Sequence, residues 1–394
     1  MVKQWLIKQR AKGELLKVFR TAEIGISHGS GDKKLFKYPK VNAVRFNYER
    51  KTLTYVFTVP TGVDPKLIQK KRYVFEQVFT KNIEIKGDLK TFTLTVFVTS
   101  FPDELTYNYE AMKLKGKLPI PVGMDTNGNF VSYDMTEFPH LLIAGETGSG
   151  KSTQLRSILV TLIQSKKSTE LELYLGDLKR SEFHIFRNVQ NVKKTAVSSD
   201  ELSLILRYIR REITRRGDLL DEYELAHVDD LKPKLPYIIV AIDEVALLKG
   251  DKENMQILEE ISAVGRALGI FLIMSMQRPD AKVLDGKLKV NLTVRMAFRS
   301  ADGINSRIIV DKPGAEKLEG NGRMLLKIQS EKELKEIQAP YLTIEGAKKI
   351  LEGYKSFVSE NASKAKNKPD KDLSNFVVKD LVEVDDNVFG VLEE

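Results

Sequence analysis

The sequence predicts an α/β fold preceded by a smaller α+β domain, and three observations lead to this prediction. From Pro119 onward, short apolar runs alternate with helical segments, which is typical of a parallel sheet covered by helices. Before residue 118, apolar and polar residues alternate within short segments, as they do in half-buried strands. The last thirty residues are polar and acidic and show little periodicity, which indicates a flexible tail. We therefore expect three parts, over residues 1–117, 118–355 and 356–394.

The composition is that of a soluble globular protein: of 394 residues, 42% are hydrophobic and 30% are charged. The net charge of +9 favours polyanionic partners, and nucleic acid, a ribosome or an anionic membrane would each satisfy this preference. Because cysteine is absent and the four histidines form no H-E-x-x-H pair, disulfides and thiol nucleophiles are excluded and a zinc site is not expected. We find neither a signal peptide nor about 18 consecutive apolar residues, so we expect a cytoplasmic protein that reaches a membrane only through a partner.

The first forty residues are strongly basic, with ten Lys or Arg against three Asp or Glu. Their first half has the spacing of a loosely amphipathic helix, with apolar residues at positions 5, 6, 15, 16 and 19. Such a helix packs on its own domain, or it binds a membrane surface or nucleic acid, and the sequence leaves these alternatives open.

The rest of the N-terminal region is predicted to form a small α+β domain. Alternating residues predict strands over 41–48, 52–59 and 91–99. Asp64 and Pro65 begin a helix that is predicted to run to residue 79. The resulting order is β-β-α-β, and we recognise no catalytic constellation in it.

The α/β region contains the apolar runs that we expect to form the buried sheet. These runs lie at 140–144, 171–175, 237–242, 270–276 and 293–298. Helical periodicity falls between them, at 152–164, 199–222 and 254–267. Sheets of this kind place ligands at the carboxyl ends of their strands.

A phosphate-binding loop follows the first apolar run. Residues 145–152, Gly-Glu-Thr-Gly-Ser-Gly-Lys-Ser, fit the pattern G-x-x-x-x-G-K-[ST], with a strand before them and a helix after them. The glycines let backbone N–H groups turn towards phosphates, Lys151 supplies charge to the β and γ phosphates, and the Ser152 hydroxyl ligates Mg²⁺. The predicted nucleotide-binding residues are Gly145, Glu146, Thr147, Gly148, Ser149, Gly150, Lys151, Ser152 and Thr153.

A second, acidic element indicates the same chemistry. The run at 237–242 ends in Asp243 and Glu244. Asp243 is expected to hold Mg²⁺ through water, and Glu244 is expected to be the general base that polarises the attacking water. A strand that merely ends in two solvated acids is the alternative. Together with the phosphate loop, the pair favours an NTPase that uses ATP and Mg²⁺.

Beyond these two elements, the sequence resembles the FtsK/SpoIIIE family of DNA-pumping motors over most of 119–329. The stretches that carry the resemblance are F-P-H at 138–140 before the phosphate-loop strand, G-D-L-K at 176–179, E-I-T-R-R at 212–216, I-D-E-V-A at 242–246, G-R-A-L-G-I at 265–270, M-S-M-Q-R-P at 274–279, S-R-I-I-V-D-K-P-G-A-E-K-L at 306–318 and G-N-G-R-M-L at 320–325. Leu178 stands where the family has proline. The resemblance implies a RecA-like P-loop motor domain that binds ATP and assembles into a ring, expected to be a hexamer, around DNA.

Two polar residues near these stretches have roles that agree with a ring motor. Gln277 ends a strand predicted to lie beside the Asp243 strand, where its amide contacts the γ-phosphate or the attacking water unless it only caps a turn. Arg266 is the candidate arginine finger for the ATP of a neighbouring subunit. Arg307 and Arg295 are its competitors, and an ordinary surface arginine at the end of a helix is the alternative.

The resemblance also implies that DNA contacts come from loops lining a central pore. Two candidate loops, at 178–187 and 280–291, carry basic residues that suit contact with phosphates regardless of base sequence. Solvated surface loops are the alternative. For Asp177 and Lys179, at the end of a predicted strand, a nucleotide-sensing or DNA-facing role is expected. The candidate DNA-binding residues are Lys179, Arg180, Lys282, Lys287 and Lys289.

The sequence departs from the cell-division members of this family, which carry membrane spans and a C-terminal domain that reads orienting sequences. We recognise neither feature here, so the chain is more similar to the FtsK-like coupling and transfer proteins of Gram-positive plasmids and integrative elements. This similarity implies a motor that moves double-stranded DNA in plasmid or mobile-element transfer or partition. The implied partners are further copies of the chain and a relaxase, a replication protein or a membrane anchor.

Two other functions stay open. The FtsK-like fold is shared with type VII secretion motors, which translocate proteins, although a single ATPase cassette and basic loop residues argue against this class. The other alternative is a nucleotide-gated adaptor whose acidic tail docks a relaxase or replication protein.

Overall fold

The structure is a computed structural model that describes residues 2–28, 35–47, 52–80, 82–97, 102–284 and 286–356. The predicted acidic tail over 356–394 lies outside these residues except for its first position, and so does the side chain of Trp5. Among the residues that the structure describes, no helix is both long and apolar enough to cross a membrane.

The N-terminal region is an α+β domain, as its alternating residues predict. Its elements are α1 (Val2–Thr21), β1 (Ile26–His28), β2 (Leu35–Lys37), β3 (Lys40–Asn47), β4 (Thr52–Thr58), α2 (Lys66–Lys70), α3 (Arg72–Val78), β5 (Ile83–Lys86) and β6 (Thr91–Phe97). Strands β3, β4, β6 and β5 form an antiparallel sheet in that order. Phe19 of α1 lies against Phe57 and Phe75, with ring centroids 5.0 and 6.2 Å away. The second half of α1 therefore packs on its own domain, whereas Leu6 and Ile7 are exposed.

Three details of this domain differ from the prediction, and the first is the antiparallel pair of β1 and β2, which was not predicted. The helix expected over 64–79 is split into α2 and α3, because Lys71 has φ −100° and ψ 14° and so interrupts the helical backbone. A strand that we did not predict, β5, pairs with β6, so that the order is β-β-α-α-β-β from β3 to β6. The four residues of β5, Ile-Glu-Ile-Lys, are too few to show a clear alternation.

The second region is built on one large mixed sheet, and it begins before the predicted boundary at 117, because residues 105–106 pair with residues 340–341. Its elements are β7 (Leu105–Thr106), α4 (Tyr109–Met112), β8 (Pro119–Asp125), β9 (Phe130–Asp134), β10 (Leu141–Ala144), α5 (Lys151–Ser165), β11 (Leu171–Asp177), β12 (Val192–Ala196), α6 (Ser199–Glu222), β13 (Tyr237–Asp243), α7 (Lys252–Leu268), β14 (Ile270–Met276), α8 (Gly286–Asn291), β15 (Val294–Phe298), α9 (Gly303–Val310), β16 (Arg323–Ile328), β17 (Lys335–Gln338), β18 (Pro340–Tyr341) and α10 (Ile344–Leu351). In the described part of the chain, the strand order is β12-β11-β13-β14-β10-β15-β16-β17-β8-β9. The sheet is parallel from β12 to β15, and β16, β17, β8 and β9 extend it as antiparallel strands.

The α/β class with a parallel sheet is thus confirmed, and the predicted strands and helices of this region end within two residues of the observed ones. The antiparallel extension and β12 are absent from the prediction. Strand β8 begins at Pro119 and also contains Pro121, although proline normally disfavours a strand inside a sheet. Strand β12, Val-Lys-Lys-Thr-Ala, is short and polar and lies at the edge of the sheet.

The large sheet has a hydrophobic core on each face. Helices α5 and α10 cover one face through side chains such as Leu155 and Leu351. Helices α6 and α7 cover the other face through side chains such as Leu206 and Ile261. Because β10, β13 and β14 lie in the middle and are buried on both faces, their carboxyl ends form a rigid edge on which polar residues can be placed.

His140, which directly precedes β10, is fully buried. Its Nδ1 accepts a hydrogen bond from the backbone N–H of Leu272 in β14 at 3.1 Å. This bond holds the imidazole ring against β14. Burial lowers the pKa of His140 to about 4, from an ordinary value of 6.5. The Pro-His before the phosphate-loop strand therefore has a structural role.

Acidification from pH 7.5 to 5 should lower the free energy of unfolding by about 2 kcal/mol through His140. The folded-state pKa is depressed, so this stabilisation is present above the unfolded value of 6.5 and is lost as the pH falls towards 4. Urea unfolding of the wild type and of His140→Gln at both pH values measures this contribution, with the exposed His184→Gln as control. An equal loss of stability in all three proteins would contradict the prediction.

Candidate nucleotide-binding site

The predicted phosphate loop turns sharply from β10 into α5. Gly150 has φ 109°, and a Cβ there would lie 2.7 Å from the Cα of Gly322, so both conformation and space require glycine. The carbonyl of Ser149 accepts the N–H of Gly322 at 2.8 Å, which fixes the loop against that turn. Because the N-cap residue is Gly150, it brings no side-chain oxygen to the first N–H groups of α5, which can therefore bind phosphate.

Lys151, the first residue of α5, is only 4% exposed and points at the ends of two central strands. Its Nζ donates a hydrogen bond to Oγ of Ser275 in β14 at 3.1 Å. The same Nζ lies 3.6 Å from Oδ1 of Asp243, the last residue of β13. The lysine predicted to bind phosphate and the carboxylate predicted to bind Mg²⁺ therefore share one buried corner.

Asp243 has the environment of a cation ligand. Burial raises its pKa, and the neighbouring Lys151 acts in the opposite direction. Its Oδ1 is shielded from solvent and accepts no hydrogen bond from any residue that the structure describes. A buried carboxylate oxygen without a hydrogen-bond donor fits a hydrated cation. Ser152 lines the nucleotide cleft next to Lys151, whose Nζ lies 3.6 Å from that oxygen. Asp243 and Ser152 are thus the residues that would hold Mg²⁺, which would supply charge neutralisation for the phosphates when bound.

Glu244 directly follows β13 and adopts the left-handed conformation, with φ 62°. Its side chain is 6% exposed, and its Oε2 accepts a hydrogen bond from Nζ of Lys179 at 2.6 Å. The backbone N–H of Gln277 lies 3.2 Å from both carboxylate oxygens. Gln277 therefore lies beside the predicted base, but it is the backbone that touches the carboxylate. The proposed contact of its side-chain amide with the nucleotide stays a prediction.

Two clefts flank these residues in the described structure. The first, of about 690 Å³, runs along the phosphate loop, and its far wall comes from residues 103–104 and 338–341. The second, of about 670 Å³, lies beyond Glu244 and is also lined by Lys179 and Arg278. The far wall of the first cleft was not predicted, because its two segments match no motif and lie far from the loop in sequence.

Asp177 has a different role from the one expected. Its carboxylate accepts the backbone N–H groups of Ser181 and Phe183 at 2.9 and 3.0 Å, and the side chain is buried. Asp177 therefore folds the loop that follows β11, and its buried carboxylate is engaged by that loop. Lys179 is the residue of this pair that reaches the site, through its ion pair with Glu244.

The candidate DNA-binding residues divide into two groups. Lys179 and Lys289 are engaged in ion pairs, since Lys179 contacts Glu244 and Lys289 lies 2.7 Å from Asp311. The others, Arg180, Lys282 and Lys287, are exposed. Their contact with DNA stays a prediction.

Arg266 lies in the last turn of α7, where its exposed side chain donates to the carbonyl of Thr136 at 3.3 Å. A Cβ at Gly265 would lie 2.2 Å from the carbonyl oxygen of Ile270, so glycine lets this turn lie directly on the start of β14. Strand β14 runs from there to the site edge, and its seven residues separate Arg266 from its own phosphate loop by roughly 20 Å. Arg266 could therefore serve as a finger only for a neighbouring subunit.

The two competitors of Arg266 differ in accessibility. Arg295 is largely buried and donates to the Asp311 carboxylate and to the carbonyl of Ile309, both at 3.0 Å. These contacts hold it within its own domain. Arg307 is exposed near the end of α9 and stays a competitor.

The E-I-T-R-R stretch has a structural explanation. Arg216 is 1% exposed and donates to Glu212 at 2.7 Å, to the carbonyl of Leu268 at 2.8 Å and to the carbonyl of Pro236 at 2.9 Å. It joins α6 to the end of α7 and to the start of β13. The helix end that carries Arg266 is thereby fixed.

Comparisons with known proteins extend these observations. Residues 106–234 match the FtsK/SpoIIIE family. The DNA translocase FtsK of Helicobacter pylori is 33% identical over 255 residues, which are 62% of this chain and 30% of that protein. The DNA translocase FtsK of Tropheryma whipplei is 32% identical over 258 residues, which are 61% of this chain and 35% of that protein. The chain thus spans about a third of the length of these curated relatives.

Solved structures show the same relationship. The conjugation coupling protein TcpA of pCW3, in its monomer form with ATPγS, matches with a TM-score of 0.59 and 25% identity, over 87% of this chain and 99% of that one. The type VII secretion ATPase EccC of Thermomonospora curvata matches with a TM-score of 0.56 and 23% identity, over 64% of this chain and 33% of that one, which shows a common fold. The resemblance found in the motifs is thus confirmed: residues 106–234 match the FtsK/SpoIIIE family, and the chain has the fold of FtsK-like ATPases.

Proposed function

We propose that this chain is the motor part of a machine that hydrolyses ATP, with Mg²⁺, to move DNA. The observation that carries the proposal is the arrangement around the carboxyl end of β14. Ser275 contacts Lys151 there, and the backbone of Gln277 contacts Glu244. The phosphate-binding lysine and the general base are therefore positioned by the same short piece of rigid strand.

Each of these residues has a defined task in hydrolysis. Lys151 and the first N–H groups of α5 neutralise the charge that develops on the phosphate oxygens. Glu244 accepts the proton of the attacking water as the water oxygen bonds to the γ-phosphorus and the bond from that phosphorus to the bridging oxygen breaks, which releases ADP. Gln277 directs its side-chain amide to the γ-phosphate or to that water. Its backbone orients Glu244 for the step.

The DNA part of the proposal rests on the relatives and on the exposed cations. Relatives that match 62% and 61% of this chain are named DNA translocases, and a conjugation coupling protein shares the fold over 87% of it. We propose double-stranded DNA as the substrate, with Arg180, Lys282 and Lys287 contacting its phosphates. The same proposal includes a hexameric ring with Arg266 acting in trans. We further propose that the protein is cytoplasmic and that a relaxase, a replication protein or a membrane anchor recruits it. The process would be the transfer or partition of a plasmid or mobile element.

Linear duplex DNA should stimulate the ATPase, and ATP should drive displacement of a third strand from that duplex. Stimulation should fall steeply between 50 and 200 mM salt, because contacts to phosphates release counterions. Replacing Arg180, Lys282 and Lys287 together by glutamine should weaken stimulation. The control, Lys348→Gln with Lys349→Gln, removes two exposed charges from α10 and should leave it unchanged.

Two results separate the proposed motor from the other candidate functions. An ATPase that no DNA stimulates, together with an intact triplex, would exclude DNA as the substrate. A protein-translocating motor or a nucleotide-gated adaptor would then account for the site.

A further inference from the structure

We propose that Lys179 is a latch on Glu244, which restrains the general base until a phosphate of DNA draws the ammonium away. This inference rests on the proposed function, because it assigns the regulation of the same site. The observation behind it is the ion pair between Nζ of Lys179 and Oε2 of Glu244, at 2.6 Å. No part of the hydrolysis scheme requires a cation at this position.

The ion pair occupies the oxygen that a general base needs. Oε2 of Glu244 accepts from Lys179, and both carboxylate oxygens lie 3.2 Å from the backbone N–H of Gln277. A base must offer a free lone pair to the proton of water, and an adjacent ammonium competes for that lone pair and repels the proton. The carboxylate is 6% exposed, so bulk water does little to weaken this competition.

The backbone on both sides holds the pair in place. Glu244 has φ 62°, a conformation that a residue with a side chain adopts rarely, and its carboxylate lies 3.2 Å from the backbone N–H of Gln277, just beyond β14. The loop that carries Lys179 is tied down by Asp177, whose carboxylate accepts the backbone N–H groups of Ser181 and Phe183. The two charges are therefore brought together by rigid elements, and only the lysine side chain has to move for the pair to open.

Lys179 is the partner that an external anion can reach. Its side chain is 30% exposed, five times the 6% of Glu244. It lines the second cleft, of about 670 Å³, together with the exposed Arg278. Glu146 and Thr147 of the phosphate loop also line this cleft, so it adjoins the nucleotide cleft. A phosphate that enters it from the side of Lys179 and Arg278 meets two cations and competes with Glu244 for the ammonium.

The opening of the pair links DNA binding to hydrolysis. When DNA occupies the second cleft, Lys179 turns to the phosphate and Glu244 is left with the N–H of Gln277 and with water. When DNA is absent, the pair re-forms and ATP is conserved. This arrangement explains why the predicted DNA-facing lysine and the predicted base are found in contact.

Steady-state ATPase rates of Lys179→Gln, with and without linear duplex DNA, test the latch. We expect the DNA-independent kcat to rise by about fivefold or more, a small part of what a general base contributes, and the stimulation factor to fall towards one. Lys179→Arg keeps a cation on the loop and should retain a low basal rate and strong stimulation. Lys193→Gln is the matched control, because it breaks a Lys–Glu pair, with Glu172 at 3.5 Å, remote from the site. Thermal melting of each variant establishes that it is folded.

The possible outcomes separate the latch from the proposed function. A basal rate in Lys179→Gln that is unchanged or lower would overturn the latch, and a lower rate would make Lys179 a group that assists hydrolysis. A higher basal rate with an unchanged stimulation factor would overturn DNA as the ligand that opens the pair. Absence of any DNA stimulation in the wild type would instead overturn the proposed function itself.

Discussion

Replacing Glu244 with glutamine should lower the ATPase rate by about two to four orders of magnitude while ATP still binds. Glutamine keeps the shape of the side chain, and its carbonyl oxygen can still accept the N–H of Gln277, which lies 3.2 Å from the carboxylate in the wild type. What is lost is the ability to take a proton from water. Phosphate release measures the rate, and a fluorescent ATP analogue measures binding.

A matched carboxylate outside the site tests the specificity of this effect. Glu253→Gln removes an exposed carboxylate that pairs with Arg207 at 2.7 Å, and it should leave the rate near that of the wild type. A rate in Glu244→Gln within about fivefold of the wild type would show that another group is the base. Loss of nucleotide binding in this variant would assign Glu244 to the phosphate site.

Arg266→Ala should reduce DNA-stimulated hydrolysis by about three orders of magnitude, the effect of removing an arginine finger. The side chain lies at the opposite end of β14 from its own phosphate loop, so in the proposed ring we expect the loss at the site of a neighbouring subunit. Arg211→Ala, which removes an exposed arginine from α6, serves as the control.

Mixing two inactive proteins distinguishes action in trans from loss of folding. Lys151→Ala removes the phosphate lysine, and Arg266→Ala removes the proposed finger. In a mixed ring, an Arg266→Ala subunit retains its own Lys151 and can receive Arg266 from a Lys151→Ala neighbour, so ATPase activity should reappear. Persistent inactivity of the mixture, or full activity of Arg266→Ala alone, would favour Arg307 as the finger or a site complete within one subunit.

The strands that are buried on both faces could be predicted, because their apolar residues are consecutive in the sequence. The runs Leu141–Ala144 and Ile270–Met276 are apolar throughout because both of their faces are covered, and this pattern is visible without any partner. Strands β5 and β12 were missed because they have only four and five residues, and β12 is largely polar. The division of the helix over 64–79 depends on the backbone at Lys71, for which the sequence carries no clear signal.

In the candidate site, too, some residues could be predicted from local sequence and others could not. The phosphate loop, Asp243 and Glu244 are recognisable because phosphate and Mg²⁺ chemistry demands particular residues at a strand end, and that demand is met within a few consecutive positions. Arg295 also fitted the sequence requirements of a finger. In the structure, its guanidinium donates to the Asp311 carboxylate and to the carbonyl of Ile309. These tertiary contacts cannot be predicted from the residues around Arg295 in the sequence.

The sequence by itself determined that this chain contains a phosphate-binding loop, an acidic strand end and the motifs of an FtsK-like motor, because each depends on neighbouring residues. Only the tertiary structure decided that Lys179 meets Glu244, 65 residues later in the chain, and that Arg266 lies at the opposite end of β14 from its own phosphate loop. The order of the strands decides both relations. Parallel pairing of β11 with β13 brings the two carboxyl ends together, whereas the direction of β14 separates Arg266 from the loop.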